Sequence, residues 1–123
     1  MFPDFDDFNP KFTFFSPIRS AAVDSTQLPE HVDHAIIALD GRAPLGGGCF
    51  LEPLEPVTGA STLRVELWVN DLDAYTCTYG FLISSENGRT PYARGERTVV
   101  SLGWSSDFRH AHQELLKDLP AYA

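Results

Sequence analysis

The sequence predicts an α+β domain in which a five-stranded antiparallel sheet packs against one helix. Residues 62–70 alternate apolar and polar side chains with a strict period of two, which is typical of a strand with one buried face. Residues 75–84 and 92–102 are two further strand-like runs, and Asn87 and Gly88 between them are a strong hairpin signal. Because only one stretch has clear helical periodicity, we expect one helix layered on one sheet.

The first of these three runs also predicts which side chains form the core. One face carries Leu63, Val65, Leu67 and Val69, and the other carries Arg64, Glu66, Trp68 and Asn70. Cys77, in the middle of the second run, fits a small buried position and is interpreted as structural. Asn87 and Gly88 both tolerate a positive φ, so we expect a two-residue type I′ turn there.

The remaining elements surround these three strands. Residues 11–19 predict a first strand, which Pro17 confines to a sheet edge or a strand end. A helix is expected from Pro29, a favoured first position, to a stop at Gly41, with one apolar stripe. The stripe consists of Val32, Ala35, Ile36 and Leu39. Residues 49–54 predict a short strand, and residues 108–119 a short carboxyl-terminal helix.

Length and composition indicate one domain. The chain has 123 residues, of which 43% are hydrophobic, enough for a single core. We expect an acidic amino-terminal tail at residues 1–10 and a single domain at residues 11–123. The two cysteines make no disulfide framework, and neither a signal peptide nor a membrane-spanning stretch is visible. The sequence therefore predicts a cytoplasmic protein with no membrane partner.

The charge balance bears on the choice of ligand. A formal net charge of −8 argues against a nucleic-acid partner, which would require clustered Lys and Arg. Two histidine pairs, His31 with His34 and His110 with His112, have spacings seen in metal sites. They lie on unrelated segments with no cysteine nearby, so we interpret them as surface histidines. No metal and no cofactor is predicted.

Three stretches of the sequence resemble the hotdog-fold superfamily, specifically acyl-CoA thioesterases of the 4-hydroxybenzoyl-CoA type. Residues 50–56 with 63–69 are similar to that family's passage of strand, Pro-Leu, short turn and Val-rich strand. Residues 84–100 are similar to its last hairpin, where small and basic residues precede a Val-rich strand. Residues 23–35 are similar to the passage D-x-x-G-H-V-N-N-A between the first strand and the helix, with Glu30 in place of the glycine and a shorter helix.

The resemblance implies a hotdog fold, a sheet wrapped around one central helix, and hydrolysis of acyl-CoA or acyl-carrier-protein thioesters. In such enzymes a carboxylate near the start of the helix attacks the thioester or activates water, and a helix amino-terminal amide polarises the carbonyl. By position the candidate carboxylates are Asp24, Glu30 and Asp33, with Asp24 preferred by the motif. His31 corresponds to the motif's histidine.

The resemblance also implies a phosphate-bearing carrier and self-association. Arg89, Arg94 and Arg97 lie close together in sequence and are candidates for holding coenzyme A phosphates. A single sheet of this kind exposes an edge strand, so we expect a homodimer or homotetramer.

Two alternatives stay open from the sequence. One is a non-catalytic hotdog protein that binds acyl groups or serves as an assembly module. The other is a cone-shaped α+β fold of the nuclear-transport-factor type, which hosts small-molecule isomerases and cyclases and also contains a curved sheet.

Overall fold

The computed structural model describes residues 11–18, 26–59 and 61–116. The predicted acidic tail and Asp24 lie outside these residues. The elements are β1 (Phe12–Pro17), α1 (Leu28–Asp40), β2 (Cys49–Pro53), β3 (Thr62–Leu72), β4 (Thr76–Ser85), β5 (Pro91–Val100) and α2 (Ser106–Gln113). Their order confirms the predicted succession of one strand, one helix and four strands, followed by a short helix.

The five strands form one antiparallel sheet in the order β1-β3-β4-β5-β2. The three strands that the sequence predicts most clearly are therefore central, and β1 and β2 are the edges. The register places Tyr79 of β4 opposite Val69 of β3 and Arg97 of β5, and it places Arg97 opposite Cys49 of β2. Side chains of these residues share the sheet face that α1 covers.

The core lies between that face and α1, and the predicted alternation in β3 is confirmed. Its four apolar residues Leu63, Val65, Leu67 and Val69 are fully buried, as are Val32, Ala35 and Ile36 of the helix. Each Å² of apolar surface removed from water stabilises the folded state by roughly 25 cal/mol. The helix is held on the sheet by this stripe, and Gly41 ends it with a left-handed φ of 77°.

The turn between β4 and β5 differs from the prediction. The amide of Gly88 donates to the Ser85 carbonyl at 2.8 Å, and only Gly88 has a positive φ in this turn. Asn87 instead accepts hydrogen bonds at its side-chain oxygen from the Arg89 amide and the Ser85 hydroxyl. These bonds hold Asn87 outside the left-handed region, so the turn is a wider one than type I′.

Two expectations, one about the second helix and one about the histidines, also change. The second helix ends at Gln113 rather than continuing to residue 119. His31 and His112 are buried, at 8% and 2% exposure, rather than lying on the surface. Both find hydrogen-bond partners inside the molecule, which is the condition for burying a polar ring. Within the described residues, no helix has the length and apolar character required to cross a membrane.

Candidate functional site

The first turn of α1 concentrates ionisable side chains at one end of the sheet. Its N-cap residue, Gln27, makes no side-chain capping hydrogen bond, and a proline follows within the first two positions. Glu30 is exposed in this turn. Backbone N–H groups at a helix start carry partial positive charge, so this end of α1 favours a negative ligand atom or a developing oxyanion.

His31 is fixed by a residue of β1. Its Nδ1 lies 2.6 Å from the hydroxyl oxygen of Ser16, which is fully buried. Burial lowers the pKa of His31, the neighbouring charge of His34 lowers it further, and Glu30 acts in the opposite direction. His31 is therefore a neutral imidazole with a defined orientation near neutral pH, held beside the first helical turn.

An ion pair between Asp33 and Arg97 joins α1 to β5. The Nε of Arg97 lies 3.1 Å from Asp33 Oδ1, and its Nη1 donates to the carbonyls of Gly46 and Thr98. The loop before β2 can approach β5 this closely because of Gly47, where a Cβ would lie 1.8 Å from the Thr98 carbonyl oxygen. Arg97 is thus a clamp between helix, loop and strand.

Cys49 stands beside this clamp on the edge strand β2. It is an exposed free thiol paired in register with Arg97. Partial desolvation of the sulfur raises the pKa of Cys49, the charge of Arg97 lowers it, and the charge of Asp33 raises it. The thiol is consequently protonated near neutral pH, which does not favour a role as nucleophile.

The structure brings together some of the predicted site residues and separates others. Glu30, His31 and Asp33 share the first turns of α1, as expected from their spacing. Arg94 and Arg97 lie on opposite faces of β5, because side chains alternate along a strand, and Arg94 pairs with Glu52. Arg89 is exposed beside the turn after β4, so the three arginines do not form one patch.

A second polar cluster, at the other end of α1, is absent from the sequence-based expectations. The hydroxyl of Tyr79 donates to Asp40 at 2.8 Å, and His112 Nε2 lies 2.7 Å from Asp40 Oδ1. His112 Nδ1 donates to the Phe108 carbonyl at 2.7 Å. Part of this cluster has a sequence signal, since Phe108 and His112 are four residues apart and so share one face of α2. Over residues 11–18, 26–59 and 61–116, no three His, Cys, Asp or Glu side chains are grouped to hold a metal ion.

Comparisons with known proteins identify the fold. No family model and no curated protein matches the sequence. A predicted thioesterase from Bacillus stearothermophilus superposes with a TM-score of 0.73 at 12% identity, covering 90% of this chain and 100% of that chain. A 1,4-dihydroxy-2-naphthoyl-CoA thioesterase from Synechocystis has a TM-score of 0.62 at 16% identity, with 90% of each chain covered.

A thioesterase-superfamily structure from Jannaschia sp. covers 96% of this chain and 99% of its own, with a TM-score of 0.65 at 17% identity. These matches extend over nearly the whole of each domain, including the sheet and its helix. The alternative of a nuclear-transport-factor fold is therefore wrong, since a strand, one helix and four strands are what the structure shows. The chain has the hotdog fold, which it shares with these solved structures.

Proposed function

We propose that the protein hydrolyses acyl thioesters of coenzyme A or of an acyl carrier protein at the amino-terminal end of α1. The observation that carries this proposal is the first turn of α1, which holds Glu30, Asp33 and a His31 fixed by Ser16 beside the helix start. Structures of the same fold that are named as thioesterases support the reaction class.

Under this proposal the reaction consumes one water. A carboxylate attacks the thioester carbonyl or removes a proton from the attacking water, and the carbonyl oxygen becomes an oxyanion beside the helix start. The carbon–sulfur bond then breaks and the sulfur takes a proton to leave as the thiol. Where water attacked, the carboxylic acid is released directly; where the carboxylate attacked, water next hydrolyses the acyl-enzyme anhydride, which releases the acid and restores the carboxylate. We assign the carboxylate to Asp24 first and to Glu30 second. Asp33 ranks below Glu30 because it is paired with Arg97.

His31 is proposed to contact substrate or orient the carboxylate. Its neutral ring, held by Ser16, can donate or accept one hydrogen bond without bringing a positive charge next to the helix start. For the carrier phosphates we retain Arg89 and Arg94, which are exposed. Arg97 is proposed to act on the substrate only through its clamp on Asp33.

We also propose that the protein is at least a homodimer, assembled through an edge strand. β2 is one of the two edge strands, and its Phe50 is 67% exposed. Pairing β2 with a second copy would satisfy its free edge and cover that ring. A cytoplasmic location is part of the same proposal, supported by the free state of Cys49 and Cys77. Sedimentation velocity tests the assembly, and a monomer at micromolar concentration would contradict it.

The reaction is tested with a panel of aliphatic and aromatic acyl-CoA thioesters, with thiol release followed by a chromogenic disulfide. We expect saturable hydrolysis of at least one thioester, reduced by Asp24→Asn and unaffected by Asp107→Asn, an exposed aspartate in α2. Absence of turnover on the whole panel and on acyl-carrier-protein thioesters would contradict it. Saturable binding without turnover would favour the second candidate, a non-catalytic acyl-binding hotdog, which the pairing of Asp33 with Arg97 also supports.

A further inference from the structure

A cavity of about 310 Å³ lies at the opposite end of α1 from the proposed thioesterase site. One wall is the segment that follows the helix, with Arg42, Pro44 and Leu45, and the other is residues 99–104 at the end of β5. A backbone hydrogen bond from Val100 to Leu45 joins the two walls. His31 and Asp40 are nine residues apart on α1, so about 14 Å of helix separates the two sites.

Two donors at this cavity have no acceptor among the described residues. The indole Nε1 of Trp104 is buried and has no hydrogen-bond partner. The guanidinium of Arg42 lies 5.7 Å from the Trp104 ring centroid and 6.0 Å from that of Phe108, and within the described part of the chain it forms no ion pair. An unsatisfied buried N–H beside a cation with no ion-pair partner indicates a site whose acceptor comes from outside. Because the N–H is covered in this structure, that acceptor must displace the covering atoms to reach it.

The other charged group in the cavity wall, Asp40, does not neutralise Arg42. The Nδ1 of His112 must carry a proton because its partner, the Phe108 carbonyl, only accepts. The 2.7 Å contact between His112 Nε2 and Asp40 Oδ1 needs a further proton between them. The His112–Asp40 pair therefore carries no net charge, and the positive charge of Arg42 is left over.

The indole is held in place by stacking. Trp104 stacks on Phe108 with ring centroids 4.1 Å apart, and Phe108 stacks on His112 at 3.6 Å. The unpaired indole N–H therefore has a fixed position, and the ring does not rotate to expose it to water. Exposed apolar side chains line the rim of the cavity. Leu45 is 64% exposed, Val100 is 40% exposed and Leu102 is fully exposed.

We propose that this cavity binds a small monocarboxylate with an apolar body. One carboxylate oxygen accepts from Arg42 and the other from the Trp104 indole, while the body covers the apolar rim. Two donors match the two oxygens of a carboxylate, whereas a phosphate dianion calls for more cations than a single arginine. The volume is at the lower end of the range for small-molecule pockets, about 300–1,000 Å³.

The test titrates the full-length protein with hexanoate and with hexanamide, which has the same shape and no charge. The background carries Trp68→Phe, so that Trp104 is the remaining tryptophan of the two in the chain. Indole fluorescence and the ¹H–¹⁵N resonance of its side chain are followed. We expect a saturable shift of the indole N–H with hexanoate and none with hexanamide.

Variants at the two donors make the test specific. Arg42→Gln removes the charge at an exposed position, and we expect hexanoate to bind about tenfold to a hundredfold more weakly. Arg109→Gln, an exposed arginine on α2 outside the cavity, should bind as tightly as the parent. Trp104→Phe keeps a ring for the stack and should weaken binding severalfold by calorimetry.

Equal binding of hexanamide, unchanged binding in Arg42→Gln, or no saturable binding up to about 10 mM hexanoate would each overturn the proposal. None of these readouts uses a thioester. They are therefore independent of whether the other end of α1 hydrolyses one.

Discussion

Replacing Tyr79 by phenylalanine tests the buried cluster that joins α1, β4 and α2. The ring is fully buried, and burial raises the pKa of its hydroxyl, which stays protonated and acts as a donor. That hydroxyl is within 3.0 Å of both Asp40 oxygens and 2.8 Å from His112 Nε2. Phenylalanine fills the same space, so the substitution isolates the hydrogen bonds from the packing.

The magnitude follows from the partners. A hydrogen bond to a charged group contributes about 1.5–3 kcal/mol, and losing this one leaves the buried Asp40 with a single strong donor. We expect the free energy of unfolding to fall by about 2 kcal/mol, and Tm to fall by roughly 8 °C, at about 4 °C per kcal/mol for a domain of this size. Urea unfolding followed by circular dichroism measures the first quantity.

The matched control is Tyr75→Phe, the same chemical change at a side chain that is 63% exposed. It should alter the free energy of unfolding by less than about 0.5 kcal/mol. Equal losses of unfolding free energy in the two variants would show that the buried hydroxyl contributes no more than the exposed one. Hydrogen exchange adds a local readout, because α2 rests on this cluster through His112 and its amides should exchange faster in Tyr79→Phe than in Tyr75→Phe.

Three further predictions concern titratable groups and the clamp. Because folding lowers the pKa of His31, the unfolded chain binds more protons between that lowered pKa and 6.5, so stability should fall on acidification through this window. In this pH window, His31→Gln should flatten the slope of unfolding free energy against pH. An unchanged slope would count against a lowered pKa of His31 in the folded protein. A thiol reagent at pH 8 should modify Cys49 readily and Cys77 only after unfolding, since Cys77 is buried and its pKa is raised to about 12. At that pH only about one Cys77 in ten thousand is a thiolate, so fast modification of two thiols in the native protein would disprove this. Arg97→Met should lower the unfolding free energy by about 1–2 kcal/mol through its lost bonds to Gly46 and Asp33, with Arg94→Met, an exposed pair, as the nearly silent control.

The fold could be predicted because its signals are local. The alternation in β3 needs only neighbouring residues, and Pro29 and Gly41 mark the ends of α1 without reference to the rest of the chain. The type of turn at Asn87 could not be predicted in the same way. It depends on which side-chain and backbone bonds the loop forms, and these compete with the left-handed conformation that the dipeptide tolerates.

The site was predicted less completely because burial of polar groups is decided by distant contacts. His31 meets Ser16 from 15 residues earlier in the chain, and His112 meets Asp40 from 72 residues earlier. Sequence spacing alone assigns such histidines to the surface. For the arginines, the sequence predicted a proximity that the structure does not show. Arg94 and Arg97 are close in sequence, but side chains alternate along β5 and lie on opposite faces of the sheet.

The proposed carboxylate-dependent thioesterase activity at the start of α1 is best tested by the kinetics of Asp24→Asn on the best substrate from the acyl-CoA panel. The variant has nearly the same shape and lacks the charge needed for attack or proton removal. We predict a fall in kcat of about 10²–10⁴-fold, with KM little changed and with Asp107→Asn equal to the wild type. Wild-type kcat in Asp24→Asn, and again when Glu30→Gln is added, would contradict a carboxylate-dependent mechanism.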